Sequence, residues 1–176
     1  MTTTPTTPQD AAREKLAKGM TGLLADTYTL YNSTQVCHWN VEGSNFKELH
    51  DLFEEQYTGL AEAVDTIAER IRAMNFYTPG TLADIARQTR VEQPESFRDT
   101  AAMLRHLIEA HRVAAHRIRA TLELAEHQPD EATADVLVER LRSHEKTTWM
   151  LESHLDDGSR RLTRLQPERE AVGATS

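Results

Sequence analysis

Five side chains that carry metal-binding donors lie between positions 38 and 69 of the sequence. They are His38, His50, Glu54, Asp65 and Glu69. Imidazole nitrogens combined with carboxylate oxygens suit iron, zinc or manganese, whereas a soft copper site favours sulfur ligands. The donor set therefore predicts a site for one of these transition metals.

The segment from Asn45 to Arg70 is predicted to form one helix that carries four of the five donors. Its apolar side chains recur at steps of three and four residues, which is the spacing of a buried helical stripe. Asn45 follows the chain breaker Gly43 and precedes Glu48 by three residues, so we expect a capping pair at the start of the helix. The predicted stripe consists of Phe46, Leu49, Phe53, Tyr57, Leu60, Val64, Ile67 and Ile71.

The four donors on this helix share a face but cannot reach one ion. At about 100° per residue they fall within about 100° of arc, yet Glu54 and Asp65 are separated by about 16 Å along the helix axis. A metal ligand must lie about 2.0–2.2 Å from the ion. We therefore predict that a second copy of the helix lies antiparallel across a twofold axis, so that His50 and Glu54 of one chain face Asp65 and Glu69 of the other. His38 would join them from the end of the preceding helix, across a short loop.

A longer motif around these donors carries a family resemblance. The run H-W-N-V-x-G-x-x-F-x-x-L-H-x-x-F-E-x-x-Y, followed by V-D-x-I-A-E-R, resembles the Dps family (DNA-binding proteins from starved cells), which are ferritin-like mini-ferritins. The resemblance is strongest over residues 28–72 and continues more weakly to about residue 155.

The resemblance implies a hollow homododecamer of four-helix bundles. In such a cage, ferrous iron is oxidised at a two-site ferroxidase centre between twofold-related subunits, usually with hydrogen peroxide, and ferric mineral is stored inside. The family pattern places His38, His50 and Glu54 as ligands from one subunit and Asp65 and Glu69 as ligands from its neighbour. Glu54 stands where many members carry Asp, so its longer arm would shift the metal slightly. Zinc is an alternative occupant of the same donors.

The remaining sequence predicts the helices that must position these donors. Pro79, Gly80 and Pro94 indicate a long crossover between the second and third long helices, with a short helix begun by a Thr81–Asp84 cap. An all-α, ferritin-like four-helix bundle has this arrangement. The predicted long helices are 10–37, 45–70, 96–126 and 130–156, the short one is 81–88, and the predicted units are a flexible tail at 1–8, the bundle at 9–157 and a flexible tail at 158–176.

A different ferritin-like site is excluded by a missing motif. The di-iron carboxylate centre that lies inside one subunit requires two Glu-x-x-His motifs. None of the eight histidines has a glutamate three residues before it. The shared site between two chains is therefore favoured over a site inside one chain.

Length and composition limit the class of protein and the cellular compartment. The chain has 176 residues, 20 basic and 28 acidic side chains, a net charge of −8 and one cysteine. This length is sufficient for one domain with a sizeable core. The single cysteine excludes a framework of disulfides within the chain. The sequence has no run of about 18 apolar residues, and its Thr- and Pro-rich start does not resemble a secretory signal. We therefore expect a cytoplasmic protein without membrane contact, with nucleoid association as an alternative.

Acidic residues suggest a route for iron. Asp130, Glu131 and Asp135 resemble the acidic pore that the family places at its threefold axis, and an acidic passage concentrates cations. Acidic residues in the first turn of a helix are also favoured by the helix dipole alone. Both interpretations remain open at this point.

DNA binding is the weakest implication of the resemblance. Residues 1–9 contain no Lys or Arg, and the tail after Gly158 has a net charge of +2, which many copies could direct at phosphates. The acidic body would repel the same polyanion, so a solvated tail is favoured. A nucleoid-binding or structural shell whose site holds zinc without turnover is the alternative function. The basic residues of the tail are Arg160, Arg161, Arg164 and Arg169, opposed by Glu168 and Glu170.

The other histidines and the cysteine have simpler expected roles. His144 falls on the apolar stripe of its helix and is expected to be a hydrogen-bonded core residue, whereas His154 is expected at the surface. Cys37 is expected to be a small buried hydrophobe, and Trp39 to pack beside the site. Solvated or interface positions are expected for His106, His111, His116 and His127.

Overall fold

Four long helices and one short helix make up the described part of the chain. The computed structural model describes residues 7–94, 96, 99–126, 128 and 130–155, and no strand occurs within them. The predictions for residues 1–6, for His127 and Pro129, and for the tail from residue 156 onward lie outside this part. The helices are α1 (Pro8–Asn40), α2 (Phe46–Ala73), α3 (Leu82–Gln88), α4 (Thr100–Glu126) and α5 (Glu131–Glu152).

The long helices pack as two hairpins. α1 packs along α2, α4 packs along α5, and α1 also contacts α4, whereas α2 and α5 share only a short contact. The crossover carries α3, which lies against α1. This arrangement confirms the predicted all-α, ferritin-like bundle, including the short helix between the second and third long helices. No helix in the described ranges is long and apolar enough to cross a membrane.

The starts of α3 and α2 test the two capping predictions. Thr81 Oγ1 accepts from the Asp84 N–H at 3.1 Å, which confirms the predicted cap of α3. Asn45 makes no side-chain cap at the start of α2, so the predicted pairing with Glu48 is wrong. Its ψ of 20° departs from the extended backbone in which a capping side chain usually turns toward the first free N–H groups.

Buried apolar residues form two clusters along the bundle. One surrounds Leu30, Phe53 and Leu107, and the other surrounds Met20 and Ile67. These side chains are fully buried, and Phe53 and Ile67 lie on the stripe predicted for α2. Helical periodicity therefore identified the core faces.

Buried polar residues separate the two clusters along three helices. Asp26 occupies this position in α1, His111 in α4, and Arg140 with His144 in α5. His111 Nδ1 and His144 Nδ1 are 2.9 Å apart, so one ring donates to the other. The prediction for His144 is confirmed. The prediction that His111 is solvated or at an interface is wrong. Its side chain is 2% exposed and pairs with His144 across the α4–α5 contact.

Asp26 joins the crossover to the bundle. Its fully buried carboxylate pairs with Arg117 and accepts from the backbone N–H of Arg90 at 2.6 Å and from Thr89 Oγ1 at 3.1 Å. Gly22 makes room for this pair, since a Cβ there would lie 2.1 Å from Arg117 Nη1. Three separate segments, α1, the crossover and α4, therefore meet around one carboxylate.

We expect Asp26→Ala to lower the free energy of unfolding by about 3–5 kcal/mol, because it leaves the Arg117 guanidinium partly buried without its partner. Urea or thermal unfolding measures the change. Glu14→Ala is the control, since the Glu14–Lys18 pair is exposed and should contribute less than about 0.5 kcal/mol. Equal effects of the two substitutions would contradict the assigned role of Asp26.

The His111–His144 pair should make stability depend on pH. Burial, reinforced by the nearby Arg140 charge, lowers the pKa of His144 from 6.5 to about 3. Burial, with His144 and Arg140, likewise holds the pKa of His111 well below 6.5. The unfolded chain therefore binds protons first as the pH falls. The stability from this pair is fully present above pH 6.5 and is lost between 6.5 and about 3.

We expect each of the two rings to contribute a slope of up to about 1.4 kcal/mol per pH unit in that window. Unfolding measured across the window should show a shallower slope in the double variant His111→Gln, His144→Gln. The exposed His116→Gln variant should retain the steep slope. An unchanged slope in the double variant would show that the buried pair is not responsible.

Candidate metal centre

Two reciprocal hydrogen bonds join two of the predicted ligands, His38 and His50. His38 Nδ1 donates to the carbonyl oxygen of His50 at 2.9 Å, and His50 Nδ1 donates to the carbonyl oxygen of His38 at 3.0 Å. The rings stack with their centroids 3.8 Å apart. A carbonyl oxygen can only accept, so both Nδ1 atoms carry the proton and both Nε2 atoms keep a lone pair. This is the tautomer that a histidine needs to bind metal through Nε2.

The loop between α1 and α2 brings the two rings together. His38 lies in the last turn of α1, and His50 lies in the second turn of α2. Gly43 turns the chain between them with a φ of +105°, a conformation that favours glycine. Short loops of this kind place one helix end beside the next helix start. Residues twelve positions apart can therefore share hydrogen bonds.

Aromatic rings enclose both imidazoles. Tyr57 meets the His38 ring edge-on at 5.2 Å between centroids, and Phe46 stacks on the His50 ring at 5.0 Å. Phe46 is 45% exposed, so its predicted place on the buried stripe is wrong. The i,i+4 spacing of Phe46 and His50 could have indicated the stack from the sequence. Trp39 is 64% exposed in the single chain, so its packing beside the site stays a prediction.

The three predicted carboxylate ligands remain on the surface of α2. Glu54, Asp65 and Glu69 are exposed, and within the described residues their side chains form no hydrogen bond or ion pair. Among the described residues, no group of three or more His, Cys, Asp or Glu side chains is placed to hold a metal ion. A single chain therefore presents the two rings and the acids without closing a complete ligand set.

Comparison with known proteins identifies the family. A ferritin-like domain matches residues 18–161. The DNA protection during starvation protein of Porphyromonas gingivalis is 30% identical over 139 residues, which cover 79% of this chain and 87% of that protein. The chain belongs to the Dps family.

Solved structures agree with this assignment. A Dps protein from Vibrio cholerae O1, described as a member of a broad superfamily of ferritin-like diiron-carboxylate proteins, is 29% identical with a TM-score of 0.79 and covers 86% of this chain and 98% of its own. DpsC from Streptomyces coelicolor is 27% identical with a TM-score of 0.81 and covers 93% and 95% of the two chains.

Asp130, one of the acidic residues expected at a pore of this Dps-family chain, has partners within the chain. Its carboxylate accepts from the Thr133 N–H at 3.1 Å and pairs with Arg70 Nη2 at 2.9 and 3.1 Å. Burial opposes its ionisation, but the Thr133 hydrogen bonds and the Arg70 charge outweigh burial and lower the pKa of Asp130. Glu131 and Asp135 remain exposed. The pore formed by Asp130, Glu131 and Asp135 stays a prediction.

Cys37, next to His38, is a buried thiol. It is a free, fully buried thiol, and burial raises its pKa to about 12. A thiol rather than a thiolate is present, and only the thiolate is a strong nucleophile or metal ligand. The prediction of a small buried hydrophobe is confirmed.

Ferrous binding to the assembled protein should weaken as the pH falls from about 8 to about 5, because protons and metal compete for the Nε2 lone pairs of His38 and His50. Titration with Fe²⁺ under argon at several pH values measures the affinity. The same titration on His116→Gln, which removes an exposed histidine, serves as the control. Affinity that does not change over this range would remove both rings from the ligand set.

Proposed function

We propose that this Dps-family protein is a ferroxidase and iron-storage mini-ferritin. In this proposal, His38, His50 and Glu54 of one subunit and Asp65 and Glu69 of its twofold neighbour bind ferrous iron. The observation that carries the proposal is the pair of hydrogen-bonded imidazoles, His38 from α1 and His50 from α2, with both Nε2 atoms free. The same α2 presents three exposed carboxylates that have no ion-pair partner among the described residues.

The exposed aromatic residues near the site support burial against a second chain. Trp39 and Phe46 are large apolar side chains left open beside the two histidines. Apolar patches at the surface of a single chain mark contact sites. A twofold partner that covers them would bring its own α2 against His50, which is the arrangement that the donor spacing requires. A complete cage of twelve subunits agrees with the family assignment.

The donor set can bind iron in both its ferrous and its ferric state. Neutral imidazole binds the ferrous ion, while the anionic carboxylates of Glu54, Asp65 and Glu69 favour the more highly charged ferric ion. Two ferrous ions supply two electrons to one hydrogen peroxide molecule, which takes up two protons and leaves as two water molecules. The O–O bond is cleaved without release of a hydroxyl radical. Removing iron and peroxide together would protect the cell and its DNA.

The net charge of −8 per chain affects which ions and macromolecules the protein attracts. An acidic cage attracts Fe²⁺ and repels DNA. The arginines of the C-terminal tail lie outside the described residues. DNA contact through them is a separate proposal from iron oxidation. We place the protein in the cytoplasm, where ferrous iron and DNA are both present.

Zinc binding without turnover is the competing function, because the same imidazole and carboxylate donors accept zinc. Anaerobic addition of Fe²⁺ followed by peroxide separates the two functions. A ferroxidase produces ferric absorbance rapidly and without free radicals, whereas an inert zinc shell produces it no faster than buffer does. Retardation of DNA in a gel at low salt would support a nucleoid role for such a shell.

Complementation tests the shared site. We expect His50→Ala and Asp65→Ala each to abolish rapid oxidation, because each substitution damages both sites of a symmetric dimer. A mixed dimer of the two variants concentrates both defects in one site and leaves the other intact. Co-assembly of equal amounts should therefore restore about one quarter of the wild-type rate, if dimers form at random.

Two controls match these substitutions. Glu48→Ala removes an exposed acid from the opposite side of α2, and His116→Ala removes an exposed histidine from α4. Both should oxidise iron at the wild-type rate. Mixtures of the two site variants that stay as inactive as their parents, while retaining the wild-type particle mass, would show that each site lies within one subunit.

A further inference from the structure

A cavity opens between α2 and α5, with His111 of α4 on its wall. The cavity there has a volume of about 450 Å³. Its volume falls in the range of small-ligand pockets, about 300–1,000 Å³. The polar side chains on its wall include those of Gln56, His111, Arg140, Ser143 and Thr147.

Several buried polar atoms of these residues have no partner in the chain. Within the described residues, Arg140 Nε, His111 Nε2 and both amide atoms of Gln56 form no hydrogen bond. Arg140 is 8% exposed and His111 is 2% exposed. Buried polar groups are nearly always satisfied, so unpartnered groups around one cavity indicate a missing partner.

The charge of Arg140 indicates what that partner should be. The carboxylate oxygen within ion-pair distance of this guanidinium belongs to the exposed Glu139, at 3.8 Å. Burial lowers the pKa of Arg140, while Glu139 and Glu62 act in the opposite direction. A buried guanidinium without close carboxylate contact is costly unless an anion binds to it. A divalent cation in the same place would be repelled.

We propose that this cavity binds a small oxyanion, with orthophosphate as the simplest example. The Arg140 guanidinium supplies the charge, and His111 and Gln56 supply further hydrogen bonds. Ser143 and Thr147 lie on the same face of α5 as Arg140, at i+3 and i+7, and add hydroxyl donors. Guanidinium groups match the geometry of oxyanions because their N–H groups form a planar fork.

The histidine pair can supply a donor without gaining charge. One proton lies between His111 Nδ1 and His144 Nδ1. If His144 donates it, His111 must carry its own proton on Nε2, which lines the cavity as a neutral donor. An oxyanion would select this tautomer. Burial of the pair explains why the rings remain neutral.

Residues near the opening would limit which anions enter. Glu55, Glu62 and Lys146 are exposed lining residues, and Glu54, a proposed iron ligand, also lines the cavity. The acids disfavour large polyanions, whereas a small oxyanion can pass them and reach Arg140. The proposal does not depend on iron oxidation, so it is tested on iron-free protein.

Equilibrium dialysis of the assembled, iron-free protein against radiolabelled orthophosphate measures binding. We expect saturable binding to the wild-type protein and a loss of affinity of about tenfold or more in Arg140→Gln. Gln56→Leu should weaken binding several-fold, because it removes one donor and keeps the side-chain volume. Arg142→Gln removes an exposed arginine from the same helix and should bind as the wild-type protein does.

Circular dichroism and particle mass show whether each variant folds and assembles. Should Arg140→Gln fail to assemble, Gln56→Leu and His111→Asn decide the result. Absence of saturable phosphate binding to the wild-type protein would overturn the proposal. So would wild-type affinity in all assembled cavity variants, because the phosphate would then lie elsewhere on the cage.

Discussion

The candidate metal centre depends on one pair of hydrogen bonds between the end of α1 and the start of α2. Each of His38 and His50 uses its Nδ1–H to hold the other residue's backbone carbonyl. The same contact joins two helices, fixes two ring orientations and assigns two tautomers. It leaves the Nε2 atoms of both rings free as donors. A ligand pair that is oriented before metal arrives loses less conformational freedom when it binds.

The bundle is not a uniform apolar core. Two apolar clusters are separated by Asp26, His111, Arg140 and His144, and these polar residues fall into two types. Asp26 is fully paired and holds the crossover against the long helices. Arg140 and His111 retain unpartnered atoms beside a cavity. A satisfied buried polar group specifies how helices pack, whereas an unsatisfied one indicates a place for something else to bind.

Periodicity and motif spacing predicted the fold well because both depend on local rules. The apolar stripes of α1, α4 and α5 mark buried faces, and the Thr81 cap and the prolines located the short helix correctly. Predictions failed where a residue's surroundings come from distant segments. His111 looked solvated beside arginines, but α5 buries it against His144. Phe46 is a local exception: it fits the α2 stripe by spacing, yet it is 45% exposed and stacks on His50 one turn later in the same helix.

The sequence alone determined the donor types, their common helix face and the distance that prevents one chain from closing the site. These follow from the fixed rise and rotation of a helix. Tertiary structure alone decided which ring nitrogens are free and which buried polar atoms lack partners. Those properties depend on contacts between segments that are twelve to more than eighty residues apart. No local pattern encodes such contacts, because they exist only once the helices pack.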